Sequence, residues 1–100
     1  MEEIKIIQGD TYTAKMNCIG IDNTLISKMI FSCNKLGVCE DILYDESAKC
    51  YVIKLTPDKT ASMAEGVSDF DITANFKDGS VRTLVYRKKI IVQRKVNTCG

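Results

Sequence analysis

The segment from Val67 to Phe76 holds the cleanest alternation of apolar and polar side chains in the chain. A repeat of two is typical of a β-strand with one buried face, whereas an amphipathic helix repeats its apolar residues every three or four positions. The segment therefore predicts a half-buried strand. Its inward face would carry Phe70, Ile72, Ala74 and Phe76, and its outward face Asp69, Asp71, Thr73 and Asn75.

Several shorter runs show the same strand pattern and are separated by polar or glycine-containing turns. They are Glu3 to Gln8, Asp10 to Ile19, Ile26 to Cys33, Val38 to Tyr44 as a weaker run broken by Glu40-Asp41, Lys49 to Thr56, Val81 to Tyr86 and Lys89 to Val96. The last two are either one bent strand or two. Seven to eight short strands predict an all-β fold, an antiparallel sandwich or barrel.

One short helical turn interrupts the strand pattern near residues 57–64. Thr56 is suited to the N-cap, and Pro57 to the first helical position, where its missing N–H is not needed. Asp58 complements the positive end of the helix dipole, and Thr60 lies within the same segment. Gly66 is predicted to end the helical segment before the next strand.

Two glycine-containing turns connect predicted strands. Gln8-Gly9-Asp10-Thr11 ends the first strand and begins the second, because glycine adopts positive φ and the aspartate carboxylate accepts from nearby backbone N–H groups. Lys77-Asp78-Gly79-Ser80 predicts a hairpin, since Asp-Gly tolerates the positive φ values of two-residue turns.

Composition favours a single domain over residues 1–96, with a frayed tail at 97–100. The chain has 100 residues, 45% of them hydrophobic, and a formal net charge of +1. This charge indicates neither a nucleic-acid partner nor an acidic membrane surface. The N-terminus has no basic region, and no apolar run approaches the ~20 residues that span a bilayer, so we expect no signal peptide and no transmembrane segment.

The residues that carry chemistry in enzymes are sparse in this sequence. There is no histidine, and the five cysteines have neither a Cys-x-x-Cys spacing nor histidine partners for zinc. Asp69 and Asp71 share a strand face, where a solvated surface is the simpler interpretation. We therefore expect no catalytic residues, no metal and no cofactor. A disulfide from Cys33 to Cys39 or Cys50 would require an oxidising environment.

A set of apolar and basic residues on outer strand faces predicts an interface. Ile91 belongs to a run that would be buried on both faces, once by the domain core and once by a neighbouring subunit. Basic residues beside this run either prevent aggregation through the strand edge or provide a docking patch for an acidic partner protein. Binding of these residues to nucleic acid is the less favoured interpretation. The predicted interface residues are Ile30, Val52, Arg87, Lys88, Lys89 and Ile91, and self-association is one use of them.

Three landmarks follow one another in a recognisable order: Gln8 to Thr11, then Leu55 to Thr60 with Gly66, then Lys77 to Leu84. This order resembles the immunoglobulin-like domain at the N-terminus of phage upper-baseplate proteins and in small tail proteins of prophages, from about Ile4 to Val96. The chain lacks the tryptophan and the spaced cysteine pair of antibody-type domains. The expected fold is thus an immunoglobulin-like antiparallel β-sandwich in architecture only.

The resemblance implies a non-enzymatic structural protein of a phage or prophage tail or baseplate. Its partners would be other virion proteins, and it would pass from the host cytoplasm into the virion tail. A receptor- or carbohydrate-binding adhesion module is the alternative, and it would require exposed aromatic residues clustered at one end of the sandwich. Family members often carry a glycine where this chain has Arg87-Lys88-Lys89, so we expect a different bend there.

Overall fold

The structure, a computed structural model, describes residues 3–18 and 20–95. Within them lie eight strands, one α-helix and two single turns of 3-10 helix at Asn23–Leu25 and Asn34–Leu36. The elements are β1 (Ile4–Ile7), β2 (Tyr12–Met16), β3 (Ile26–Cys33), β4 (Val38–Asp41), β5 (Leu43–Asp45), β6 (Cys50–Leu55), α1 (Pro57–Ser62), β7 (Gly66–Phe76) and β8 (Val81–Gln93). The predicted strand ends at Ile19 and Val96 and the predicted tail at 97–100 lie outside the described residues.

The strands form two sheets packed face to face. One has the strand order β1-β8-β7-β3-β4, and the other has the order β2-β6-β5. All neighbouring strands are antiparallel except β1 and β8, which are parallel. The predicted immunoglobulin-like β-sandwich is therefore confirmed, with one parallel pair in addition to the expected antiparallel ones.

The core between the sheets is formed by the inward faces that the alternation predicted. Phe31 of β3 and Phe70 of β7 lie at its centre, with ring centroids 5.2 Å apart. Leu55 and Ile53 of β6 close it from the opposite sheet. Phe76 is only half-buried because it lies at the hairpin end of β7. Burial of these apolar side chains is the main stabilising contribution to such a fold.

The run from Val38 to Tyr44 is not one strand. It divides into β4 and β5, which belong to different sheets, and the break is at Ile42 rather than at Glu40-Asp41. Ile42 is buried, and its N–H donates to the carbonyl of Met29 at 2.8 Å. This buried residue turns the chain from the five-stranded sheet to the three-stranded one.

The closing run is one bent strand. In its pairing with β7, Lys88 lies opposite Phe70 and Val85 opposite Ile72, so Tyr86 and Arg87 together face Asp71. This is a β-bulge, and the next shift in register follows it between Ile72 and Thr73. Arg87 has φ of 51°, a left-handed conformation that favours glycine. An arginine thus occupies a conformation that glycine adopts more readily.

The hairpin between β7 and β8 has a three-residue loop, so the expected two-residue turn was wrong. Phe76 N donates to Ser80 O at 2.8 Å, and Gly79 N donates to Phe76 O at 3.0 Å. Gly79 has φ of 91°, whereas Asp78 is not among the residues with positive φ. The Asp78 carboxylate accepts from Ser80 N at 2.8 Å, a local contact that favours a type I turn followed by a left-handed residue.

Candidate interaction surfaces

The first two sequence landmarks meet around the buried side chain of Thr60. Gly9 N donates to the Thr60 hydroxyl at 3.0 Å, and this hydroxyl lies 2.8 Å from the carbonyl oxygen of Asp10, to which it donates. Gln8 Nε2 donates to the carbonyl of Met63 at 2.8 Å. Thr60 is 0% exposed. We call this set of contacts the Thr60 junction, and it fixes the turn after β1 against α1.

The neighbouring landmark residues support this junction. Thr56 caps α1, with its hydroxyl accepting from Lys59 N at 3.4 Å, and Pro57 is the first helical residue. Asp58 lies in the first turn, as predicted. Gly66 does not end the helix, because α1 stops at Ser62 and Gly66 begins β7 with φ of 136°.

The turn after β1 is also held from outside the junction. Gly9 has φ of 85°, so the turn requires the conformational freedom of glycine. The Asp10 carboxylate pairs with Lys95 Nζ at 2.7 Å, and Thr11 is exposed just before β2. Asp78-Gly79, the third landmark, lies at the opposite end of β7 from Gly66, so the landmarks mark both ends of the sandwich.

β1 lies at one edge of the five-stranded sheet, next to exposed apolar side chains. It pairs with β8 on one side, and no described strand pairs with its other side. Ile7 is 43% exposed and Val67 is 56% exposed, and half-buried Ile91 pairs with both Lys5 and Val67. We call Ile7, Val67 and Ile91 the β1 patch.

The six predicted interface residues do not form one surface. Ile91 belongs to the β1 patch, and Lys89 and Ile30 lie on the same outer sheet face at other positions. Val52 lies on the other sheet, where it pairs with Leu43, which is 71% exposed. Lys88 faces away from Lys89 because neighbouring residues of a strand point to opposite faces.

Arg87 is held by the two aspartates of the outer face of β7. Its backbone N–H donates to Asp71 Oδ1 at 2.7 Å, and its Nε donates to Asp69 Oδ2 at 3.3 Å. Its guanidinium carbon lies 5.9 Å from the ring centroid of Tyr86. Asp69 and Asp71 are thus more than a solvated face, since they fix the bulge in β8.

An open groove of about 660 Å³ runs along the edges of β4 and β5. On its wall, Glu40 Oε1 is buried and receives no hydrogen bond of regular geometry from the described residues, and the Lys59 ammonium 2.6 Å away balances its charge. This groove was not predicted from the sequence. The cluster of Glu40 and Asp41 close to Leu43 was the available signal. Its lining is Cys39, Glu40, Asp41, Leu43, Tyr44, Asp45, Val52, Lys54 and Thr56.

The described cysteines are free thiols in differing environments. Cys33 is buried and donates to the carbonyl of Asp69 at 3.1 Å, Cys50 is buried, and Cys39 is exposed. Partial burial raises the pKa of the Cys18 thiol, which disfavours the reactive thiolate. Among the described residues, no three histidine, cysteine or carboxylate side chains converge as metal ligands would.

Two of the four tyrosines pack against each other, and the other two lie on β2 and β8. Tyr44 and Tyr51 pack edge to face, with centroids 5.1 Å apart, and Tyr51 is buried. Tyr12 is half-buried, and burial raises its pKa. Tyr86 is 69% exposed and lies on β8. Among the described residues, neither end of the sandwich therefore has the cluster of exposed aromatic residues that the adhesion alternative requires.

Across the described residues, no helix combines the length and the apolar character needed to cross a bilayer.

Comparison with known proteins identifies the class of fold. The chain matches a solved structure described as the fibronectin(III)-like modules of Clostridium thermocellum CbhA, with a TM-score of 0.56 and 19% sequence identity. The match covers 95% of this chain and 43% of that chain. No family model and no curated protein matches the sequence. The chain therefore shares the β-sandwich fold of those modules.

Proposed function

We propose that this chain is a non-enzymatic structural protein of a phage or prophage tail or baseplate, which acts through protein–protein contacts in virion assembly. The observation that carries the proposal is the Thr60 junction. It joins two of the three landmarks on which the resemblance to phage baseplate domains depends, and β1, which leads into it, lies at an open sheet edge.

The β1 edge is the surface that we assign to a virion partner. An edge strand exposes backbone N–H and C=O groups to which an extended segment of another protein can add. The β1 patch lies beside this edge and offers apolar area to the same partner. Exposed apolar groups in contiguous patches mark interaction sites more often than isolated ones do.

Induction of the prophage that encodes the chain tests the proposal. We expect the protein to co-sediment with intact tails, and an antibody against it to label tails or baseplates in electron micrographs. Its absence from assembled particles would refute the proposed function.

The β1 patch is tested by Val67→Asp, with Leu25→Asp as the matched control. The two side chains are 56% and 55% exposed, and Leu25 lies in the 3-10 turn before β3, outside the β1 patch. We expect Val67→Asp to lower incorporation into tails at least about tenfold, because a charged side chain covered by the partner would be left without a counter-charge. The control should be incorporated normally. Equal incorporation of both variants would exclude the β1 patch from the contact.

A further inference from the structure

The five-stranded sheet has a second open edge on the β1 side, formed by the first part of β8. Only Ile90 to Gln93 of β8 pair with β1, so residues 81–89 pair with β7 on one side and have no described strand on the other. In this stretch lie four basic residues and no acidic one: Arg82, Arg87, Lys88 and Lys89. We call residues 81–89 the basic edge.

The opposite edge of the molecule carries the opposite charge. There β4 ends the five-stranded sheet and β5 ends the three-stranded one. Between residues 40 and 46 are four acidic residues and no basic one: Glu40, Asp41, Asp45 and Glu46. We call residues 40–46 the acidic edge, and the open groove of about 660 Å³ runs along it.

Lysines next to the acidic edge offset only part of this charge. Lys59 pairs with Glu40 at 2.6 Å, and exposed Lys28 lies 3.5 Å from Asp41. Lys54 lines the groove. On the basic edge, Asp69 pairs with Arg87. The described salt bridges do not include Asp45, Glu46, Arg82, Lys88 or Lys89, and these charges are the ones available to a partner.

The β4 part of the acidic edge lies at the height of residues 83–85 of the basic edge, and the two strands run in opposite directions. Pairing places Asp41, Ile30, Thr73 and Thr83 in one row across β4, β3, β7 and β8. Glu40, Phe31, Ile72 and Val85 form the adjacent row. Three successive antiparallel pairings separate β4 from β8, so these two strands are antiparallel to each other. A second copy displaced sideways would therefore bring its basic edge antiparallel to the acidic edge of the first.

We propose that copies of this chain associate head to tail, with the basic edge of one copy docked along the acidic edge and groove of the next. Contacts between like edges would place charges of the same sign opposite each other, which is destabilising. The bulge at Tyr86-Arg87 and the neighbouring register shift disturb a regular backbone ladder, so the contact relies on side chains. Contacts between different surfaces build rings or filaments rather than closed dimers.

Sedimentation velocity of the purified protein tests the inference without any virion. We expect association that grows with protein concentration and weakens with salt, because screening acts over about 10 Å at 0.1 M ionic strength. Two charge-reversed variants should each self-associate more weakly, with a dissociation constant at least about tenfold higher than that of the wild type. One is Arg82→Glu with Lys88→Glu, and the other is Asp41→Lys with Glu46→Lys.

An equimolar mixture of the two variants supplies the decisive result. One variant has two negative edges and the other has two positive edges, so every contact between the two variants joins opposite charges. We therefore expect the mixture to associate as the wild type does. Lys5→Glu with Lys35→Glu changes the net charge as the first variant does and should leave association intact. A wild-type chain that remains monomeric at about 1 mM, or a mixture that remains monomeric, would overturn the inference. Neither result would bear on incorporation into tails.

Discussion

The buried hydroxyl of Thr60 connects segments that are 50 positions apart in the sequence. It accepts from Gly9 N and donates to Asp10 O, so one side chain satisfies a donor and an acceptor of a turn that has no strand partner. Backbone groups away from water require such partners. Thr60 belongs to a sequence landmark, but this contact was not predictable from it, because helix capping involves only residues near in sequence.

Thr60→Val tests the junction, since valine keeps the shape and removes the hydroxyl. We expect a loss of about 1–3 kcal/mol in the free energy of unfolding, because Gly9 N and Asp10 O lose their partner. Urea denaturation would measure it. Thr11→Val is the control, because Thr11 is exposed in the same segment, and its effect should stay within about 0.5 kcal/mol. Equal effects of the two substitutions would contradict a stabilising role for the junction.

The backbone conformation of Arg87 could not be predicted from its residue type. Nothing in the alternation of β8 reveals that Arg87 has φ of 51°. The basic cluster around it predicted an interface, yet its backbone N–H and its Nε are bound by Asp71 and Asp69. Arg87 therefore also helps to hold β8 against β7 within the sheet.

The conformation of Arg87 predicts an unusual order of stability between two variants. Arg87→Gly and Arg87→Ala both remove the guanidinium, but we expect the glycine variant to be the more stable by about 1 kcal/mol, since a left-handed residue with a Cβ is strained. At Thr83, a strand residue without a positive φ, the order should reverse by about 0.5–1 kcal/mol. Thermal unfolding of the four variants would decide this. An alanine variant at position 87 that is as stable as the glycine variant would contradict it.

At the scale of elements, strands and the helix were largely predictable because alternation and capping are local. The limits of β3 were predicted correctly from Ile26 to Cys33, as was the capped start of α1 at Thr56-Pro57. Alternation states which face is buried but not which sheet a strand joins. It therefore could not separate β4 from β5, nor show that Ile30 and Val52 lie on different sheets.

The hairpin loop between β7 and β8 contains a carboxylate with an altered proton affinity. Hydrogen bonds from the side chain and the backbone N–H of Ser80 lower the pKa of Asp78 below its ordinary value of 3.8. The hydrogen bonds to Asp78 thus stabilise the fold at pH values above 3.8. Its contribution is lost as the pH falls through the lower pKa of the folded state.

NMR titration of the side-chain carboxyl groups would check this. We expect Ser80→Ala to raise the pKa of Asp78 toward the ordinary value. Asp22 provides the matched control, because hydrogen bonds from Thr24 lower its pKa in the same way. Thr24→Val should raise the pKa of Asp22 and leave that of Asp78 unchanged. A pKa of Asp78 that does not respond to Ser80→Ala would exclude the hydroxyl as the principal cause.

At the scale of the whole molecule, the interaction surfaces were less predictable than the fold. The sequence indicated Ile91 and the basic residues, but not that residues 81–89 form an edge, because this depends on β1 pairing only with the end of β8. The acidic edge depends likewise on β4 and β5 lying last in their sheets. Surfaces of this kind arise from the order of strands in space, which a single sequence does not state.

The parallel pair of β1 and β8 also determines when the fold can be completed during synthesis. Ile4 pairs with Ile90, whereas every strand of the three-stranded sheet has been made by Leu55. On the ribosome, β1 must therefore wait for almost the whole chain before it finds its partner. Its apolar residues stay available to chaperones or to other chains throughout that time. Such distant contacts also slow folding, so the strand made first is among the last to be secured.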